Sequence, residues 1–289
     1  KRSGLTFAPE AASPRLRAVI NKWIPDEELL EMAAEAYKRG WNHIKTYFMI
    51  GLPTERDDDV QAIVDLCVRT LEVGRSINPK ARIHTGVSTF VPKPFTPFQW
   101  AEQIPLEESK RRQEILHRGF SRHRGIKFGR HNPEATLIEG LISRGGRRTA
   151  ELIEAAWRRG ARLETWDEYL NFEAWLGAIE EVGYEVDAAL RERDLGEPLP
   201  WDHLDVLIPK QWLQEDWRRA MALQHAPDCR HGKCLECGVI DRERPLCASM
   251  LRRASRGAKA GRNWTAPERA AYIEPVPVQL VRCRVGRTG

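Results

Sequence analysis

Apolar residues fall at Val60, Ile63, Val64, Cys67, Val68 and Leu71, the spacing of one helical face. That pattern predicts a helix over Asp57–Leu71, with Asp57, Asp58 and Asp59 suited to the positive end of its dipole. A second helix is predicted over Asp26–Lys38. Pro25 precedes it, acids fill its first turn, and Gly40 closes it. Ile44–Ile50 is short and dense in apolar residues, like a parallel strand buried on both faces. Ile83, Thr85, Val87, Thr89 and Val91 alternate with other residues, as in a strand. Leu5–Ala8 reads as the end of an earlier strand. Strands alternating with helices imply an α/β fold of parallel strands joined by right-handed crossovers. Half of an eight-stranded barrel and part of an open sheet both satisfy this pattern.

After Pro97 the pattern changes. Leu106–Arg122 reads as a long helix and Gly125–Gly129 as a short strand. Pro133–Val182 reads as helical, broken at Gly145-Gly146, Gly160 and Gly183. Thr165 with Glu168 resembles a capping box. Trp157, Trp166, Tyr169, Phe172 and Trp175 are expected to supply core packing. Residues 195–205 read as a loop, Gln211–Leu223 as a helix, residues 251–275 as a linker, and Pro277–Arg284 as the start of another strand. The expected organisation is a β/α region over 1–130, a helical extension over 131–225, a cysteine-rich segment over 226–250, and a linker with a first strand over 251–289.

Of the 289 residues, 42% are hydrophobic and 30% charged, which fits a globular core and argues against wholesale disorder. No run of about 18 apolar residues is present, so no membrane partner is expected. The chain enters a strand almost at once and has no apolar leader, so it is expected to begin inside a domain. The net charge of +5 is uneven. Residues 229–289 hold 13 Lys+Arg against 5 Asp+Glu, a net of +8, so the first 228 carry −3. Such a tail suits a polyanion or a solvated linker.

Three strand ends carry candidate chemistry, because ligands of parallel sheets gather beyond the carboxyl ends of the strands. In LTFAPEAASPRLR, Glu10 offers a carboxylate, and Ser13 either a ligand hydroxyl or an N-cap ahead of Pro14. In FMIGLPTE, Gly51 allows close approach of the backbone to a ligand, with Glu55 beside it. In STFVPKPFTPFQW, prolines stiffen the strand exit, and the backbone near Val91 can meet an adenine edge.

Taken together, LTFAPEAASPRLRAVINK, KTYFMIGLPTE and VSTFVPKPFTPFQW resemble the second half of the barrel in radical-SAM enzymes. The resemblance is nearest to the cobalamin-domain radical-SAM proteins of unassigned substrate. It continues through HNPEATLIEGLISRGGRR, LPWDHLD and DCRHGKCLECG, and PVQLVRCRVGRTG resembles the first strand of a fused domain of unknown function. It implies a partial (β/α) barrel that binds S-adenosylmethionine. Glu10 and Ser13 would lie near the ribose, Lys22 near the SAM carboxylate, Gly51 and Glu55 beside the adenosine, and Val91 at the adenine. It also implies a catalytic 4Fe–4S cluster held by a CxxxCxxC loop, which this chain lacks. That loop is expected upstream in a longer parent, as is any cobalamin domain, and this chain alone is expected to be inactive.

Independently of the resemblance, Cys229, Cys234 and Cys237 follow C-x4-C-x2-C. Tight thiolate spacing beside Gly232 and Gly238 suits an auxiliary iron–sulfur cluster or zinc. Cys247 is the expected fourth ligand, with His231 or the distant Cys283 as alternatives. The resembling family would place a cysteine where Ile240 stands. Clustered cysteines of this kind favour metal ligation in a reducing, cytoplasmic compartment over a disulfide scaffold. Cys67, on an apolar helical face, reads as a packed thiol. A second reading makes the chain a non-catalytic RNA-binding module, with a structural zinc site and a basic tail. A third makes it an ordinary α/β scaffold with adventitious cysteines.

Overall fold

The computed structural model describes residues 4–164 and 166–227, together with Leu235 and Cys237. Four parallel strands form one sheet: β1 (Leu5–Glu10), β2 (His43–Ile50), β3 (Arg82–Thr89) and β4 (Ile126–Arg130). They lie side by side in chain order. Helices α1 (Pro14–Val19) and α2 (Asp26–Lys38) join β1 to β2, α3 (Asp57–Ile77) joins β2 to β3, and α4 (Leu106–Ser121) joins β3 to β4.

This order has a steric consequence. Successive crossovers of one hand, each moving the chain one strand further, place their helices on one side of the sheet. The core shows that side. Phe48, Ile50 and Val87 pack with Leu29 of α2, with Val60, Ile63, Val64 and Cys67 of α3, and with Leu116 and Phe120 of α4. Ile44 and Ile83 pack with Ala33, Ala36 and Tyr37 of α2 and Leu71 of α3.

β2 departs from the expectation of burial on both faces. Ile44, Thr46, Phe48 and Ile50 are buried, while His43, Lys45 and Tyr47 between them are exposed. The strand alternates because, among the described residues, helices seal the Ile44–Phe48 side, while on the other side only Met49 is packed. Cys67 is buried, with its Sγ 3.2 Å from Thr85 Oγ1 and 3.8 Å from Thr46 Oγ1. Burial pushes this thiol up to about 11, as suits an inert packed group.

Beyond β4 the chain is helical: α5 (Pro133–Arg144), α6 (Thr149–Arg158), α7 (Phe172–Val182), a short α8 (Val186–Leu190) and α9 (Lys210–Met221). The glycine breaks fall where the pattern set them, and Gly183 closes α7 in left-handed conformation. Asn171 caps α7, accepting from Ala174 N–H at 3.1 Å. Thr165 lies outside the described residues, and Glu168 sits in a 3₁₀ turn. The aromatic residues of this region divide. Trp175 is buried, but Trp157, Trp166 and Tyr169 are exposed. α6 buries Leu152, Ala155 and Ala156, which turns Trp157 outward under the Arg162 guanidinium, 4.5 Å from the ring centroid.

The described residues from Gly4 to Pro227 belong to one compact unit, with Cys237. A second unit comprises residues 229–236 and 240–289, of which Leu235 is described. The predicted linker and final strand lie outside the described residues. No described helix is long and apolar enough to cross a membrane.

Candidate functional site

Each of the first three strands ends at, or leads into, a non-glycine residue with left-handed backbone: Glu10 (φ 66°), Thr54 (φ 67°) and Phe95 (φ 59°). Such residues cost on the order of 1 kcal/mol or more each, and they cluster where function constrains the chain. Here they share the carboxyl edge of the sheet.

The β1 edge is built from within α1. Arg17, almost wholly buried, donates to Ala12 O at 2.7 Å and Ala11 O at 3.3 Å, and pairs with Asp26. The loop after β1 is thereby tied to α1 and α2. Lys22 folds back over the strand end. Its Nζ donates to Ala8 O and lies 3.5 Å from Glu10 Oε1, and both side chains keep about one third of their surface exposed. Two residues singled out separately in the sequence thus meet, leaving carboxylate and ammonium valences facing solvent.

Ser13 caps α1, accepting from Leu16 N–H at 3.2 Å, and donates to Asp59 Oδ1 at 2.5 Å. Its hydroxyl proton is therefore spent within the fold. Asp59 also accepts from Arg56 N–H and pairs with Arg15, and Arg15 donates to Thr54 Oγ1 (2.8 Å) and Thr54 O (2.9 Å). Burial alone would raise the Asp59 carboxyl. The bonds from Ser13, Arg56 and Arg15 hold it below its ordinary value. This hub joins the loops that follow β1 and β2.

Gly51 follows β2 at φ 82°, where a Cβ would stand 2.9 Å from the Ile104 side chain. Only glycine fits both the conformation and the space. Its N–H donates to Glu55 Oε2 at 2.6 Å. Glu55 points inward, with 1% of its side chain exposed, and pairs with Arg112. Burial pushes its carboxyl up to about 7, against the pull of the Gly51 N–H and Arg112. Glu55 therefore shapes the loop beside Gly51 and does not present its carboxylate to the surface.

After β3, Phe90 N–H donates to Ile50 O at 2.8 Å, and the Val91 side chain is buried. The Val91 main-chain N–H and C=O have no hydrogen-bond partner among the described residues, so they are free to meet a ligand edge. A cleft of about 870 Å³ opens beside the carboxyl end of β4, with Arg130, His131 and Trp166 in its lining.

The structure thus brings Glu10 and Lys22 together directly, and links Ser13 to the β2 loop through Asp59. Gly51 and Glu55 are joined to each other, and Val91 stands at the third strand end. Sequence reading missed Arg15, Asp59 and Arg112, which carry the polar ties between loops. They lie 39 to 57 positions from their partners, beyond any local pattern.

Of the proposed metal ligands, Cys237 is half-buried and outside any disulfide. Cys229, Cys234, Cys247, His231 and Cys283 lie outside the described residues. Among the described residues, no group of three or more His, Cys, Asp or Glu side chains is placed to hold a metal ion.

The chain is 27% identical over 179 residues to an uncharacterized protein of Methanocaldococcus jannaschii. The match covers 62% of this chain and 38% of that protein, so the chain spans well under half the length of the curated relative. No family model and no solved structure matches the chain.

Proposed function

We propose that this chain is the second half of the barrel of a radical-SAM enzyme, with S-adenosylmethionine seated at the carboxyl edge of the sheet. The observation that carries this reading is the meeting of left-handed Glu10 with Lys22 at the end of β1. The strand order adds support, since parallel strands in chain order with their helices on one face have the winding a (β/α) barrel requires.

The residues fit the cofactor's donor and acceptor pattern. The Glu10 carboxylate accepts hydrogen bonds from ribose hydroxyls, and the Lys22 ammonium pairs with the carboxylate of the methionyl group. The Val91 backbone meets the adenine edge. Gly51, held by Glu55 and Arg112, lets the backbone lie close to the adenosine. When bound, a reduced 4Fe–4S cluster held outside this chain supplies the electron that cleaves SAM. This chain's residues bind and orient the cofactor. The membership in the cobalamin-domain group, the fused domain of unknown function and the cytoplasmic location belong to this proposal. So does an auxiliary iron–sulfur or zinc site at Cys229, Cys234, Cys237 and Cys247.

Saturation-transfer NMR with SAM tests the reading. SAM should receive saturation from the chain, and Lys22→Ala should weaken its affinity at least tenfold, about 1.4 kcal/mol. SAM signals that are silent, or unchanged in that variant, overturn it. For the cysteine segment, anaerobically purified chain should contain iron with sulfide, or zinc, and lose it in Cys234→Ala. Metal-free protein refutes the auxiliary site.

A further inference from the structure

Below Met49, which packs against Leu16 and Val19 of α1, one face of the sheet is left uncovered by the described helices and has its own chemistry. Parallel sheets are ordinarily covered on both faces. Here Lys45, His84 and Lys127 stand in register across β2, β3 and β4 on the open side. One row below, His43 pairs in register with Arg82. None of these five side chains has an ion-pair partner among the described residues. Glu10, at the far upper edge, is already engaged by Lys22.

Two glycines shape this face. A Cβ at Gly86 would stand 2.8 Å from the Tyr47 ring, and one at Gly129 would stand 3.2 Å from His84 Nε2. Tyr47 and His84 therefore lie across the sheet over the glycines, leaving a shelf flanked by the two lysines. Strands are spaced ~4.8 Å apart, so Lys45 and Lys127, two strands apart, flank a gap on the order of 10 Å. Unpaired cations around a shallow floor concentrate positive potential where a compact dianion fits.

Resting on the barrel reading above, in which this face is the interior, we infer that Lys45, His84 and Lys127 hold the phosphate group of a phosphorylated substrate. Ile50, at the strand end, stands five positions beyond Lys45. At ~3.3 Å per residue, the substrate reaches on the order of 15 Å from its anchored phosphate to the SAM edge. Tyr47 and Ser88 face the start of that path, while Met49, level with Ser88, packs against Leu16, Val19 and Leu52 near the strand end. The two lysines of the anchor have no ion-pair partner among the described residues. Burial, with Lys127 and Lys45 close by, holds the His84 imidazole below its ordinary value.

The test is a pyrophosphate titration of the whole chain at constant ionic strength, followed by the His84 imidazole NMR signal, which His84→Gln assigns. Pyrophosphate should shift that signal saturably and move the His84 titration upward. The Lys45→Ala/Lys127→Ala variant, with unchanged circular dichroism because both positions are exposed, should lose affinity at least tenfold. An unmoved His84 signal, an equal response to chloride, or an equal response in the double variant overturns the inference. Neither SAM nor metal takes part, so failure here leaves SAM binding standing. Failure of the SAM experiment alone removes the barrel reading and leaves a bare anion site.

Discussion

Ile44, Phe48 and Ile50 of β2 are sealed beneath α2 and α3, whereas Lys45 and Tyr47, their neighbours in the same strand, stand in the open. The same contrast recurs on β3, where buried Ile83 and Val87 flank the half-exposed His84 and Gly86. The covered face holds the fold together by excluding water from branched and aromatic side chains. The open face holds charge that nothing in the described chain neutralises. A fold seeking stability alone would have no reason to gather cations in register, because like charges directly opposite destabilise a sheet. The contrast therefore separates residues that make the sheet from residues that use it. The carboxyl edge lies between the two extremes: its charges are paired, and its backbone is strained.

The largest effect that sharpens this comparison is on the covered face. Phe48→Ala should destabilise the chain by about 3–5 kcal/mol in denaturant unfolding, through lost transfer energy and a cavity. A loss under about 1 kcal/mol would break the claim that one face alone carries the core.

Next comes the carboxyl edge. The Glu55 carboxyl titrates near 7 in the fold against an ordinary 4.5, so the folded state binds its proton more tightly than the unfolded chain. Its contribution is full below about 4.5 and is lost as pH rises through about 7. Relative to Glu55→Gln, wild-type stability should therefore fall across that window by on the order of 3 kcal/mol. A flat difference between the two proteins would show that Arg112 keeps Glu55 ionised throughout. Asp26 and Asp59 have the opposite sign: their carboxyls are held low, and their contribution disappears as pH falls below 3.8.

Smaller still is the strain at Glu10. Glu10→Gly should raise stability by about 1 kcal/mol by relieving the left-handed backbone, while weakening SAM binding. A variant that loses stability would show that Glu10 serves the fold and not a ligand. The smallest effect belongs to the open face, where Lys45→Ala should leave stability within about 0.5 kcal/mol in thermal unfolding. A substantial loss would mean that the row takes part in holding the sheet.

Legibility in the sequence followed the range of the interaction. The helix over Asp57–Ile77 was visible because its apolar face repeats within a few residues, although its last six lacked that pattern. Ser13 was readable as a cap from Pro14 beside it, and its bond to Asp59, 46 positions away, was not. HIKTYFMI holds an alternation that marks an open face, yet its apolar density alone suggests burial on both sides. Trp157 and Trp166 were expected inside because large aromatics usually are, but which side of a helix faces the core depends on what packs against it.

The sequence by itself determined the alternation of strands and helices, the cap at Ser13 and the spacing of the cysteines. All of these depend on backbone sterics or on residues a few positions apart. Only the tertiary structure decided that the strands lie in chain order, with one face left uncovered by the described helices below Met49. The same level decided that Lys22 reaches Glu10, that Glu55 turns inward to Arg112, and that Lys45, His84 and Lys127 form one row. Each of these follows from how distant segments share space, which no local pattern of residues encodes.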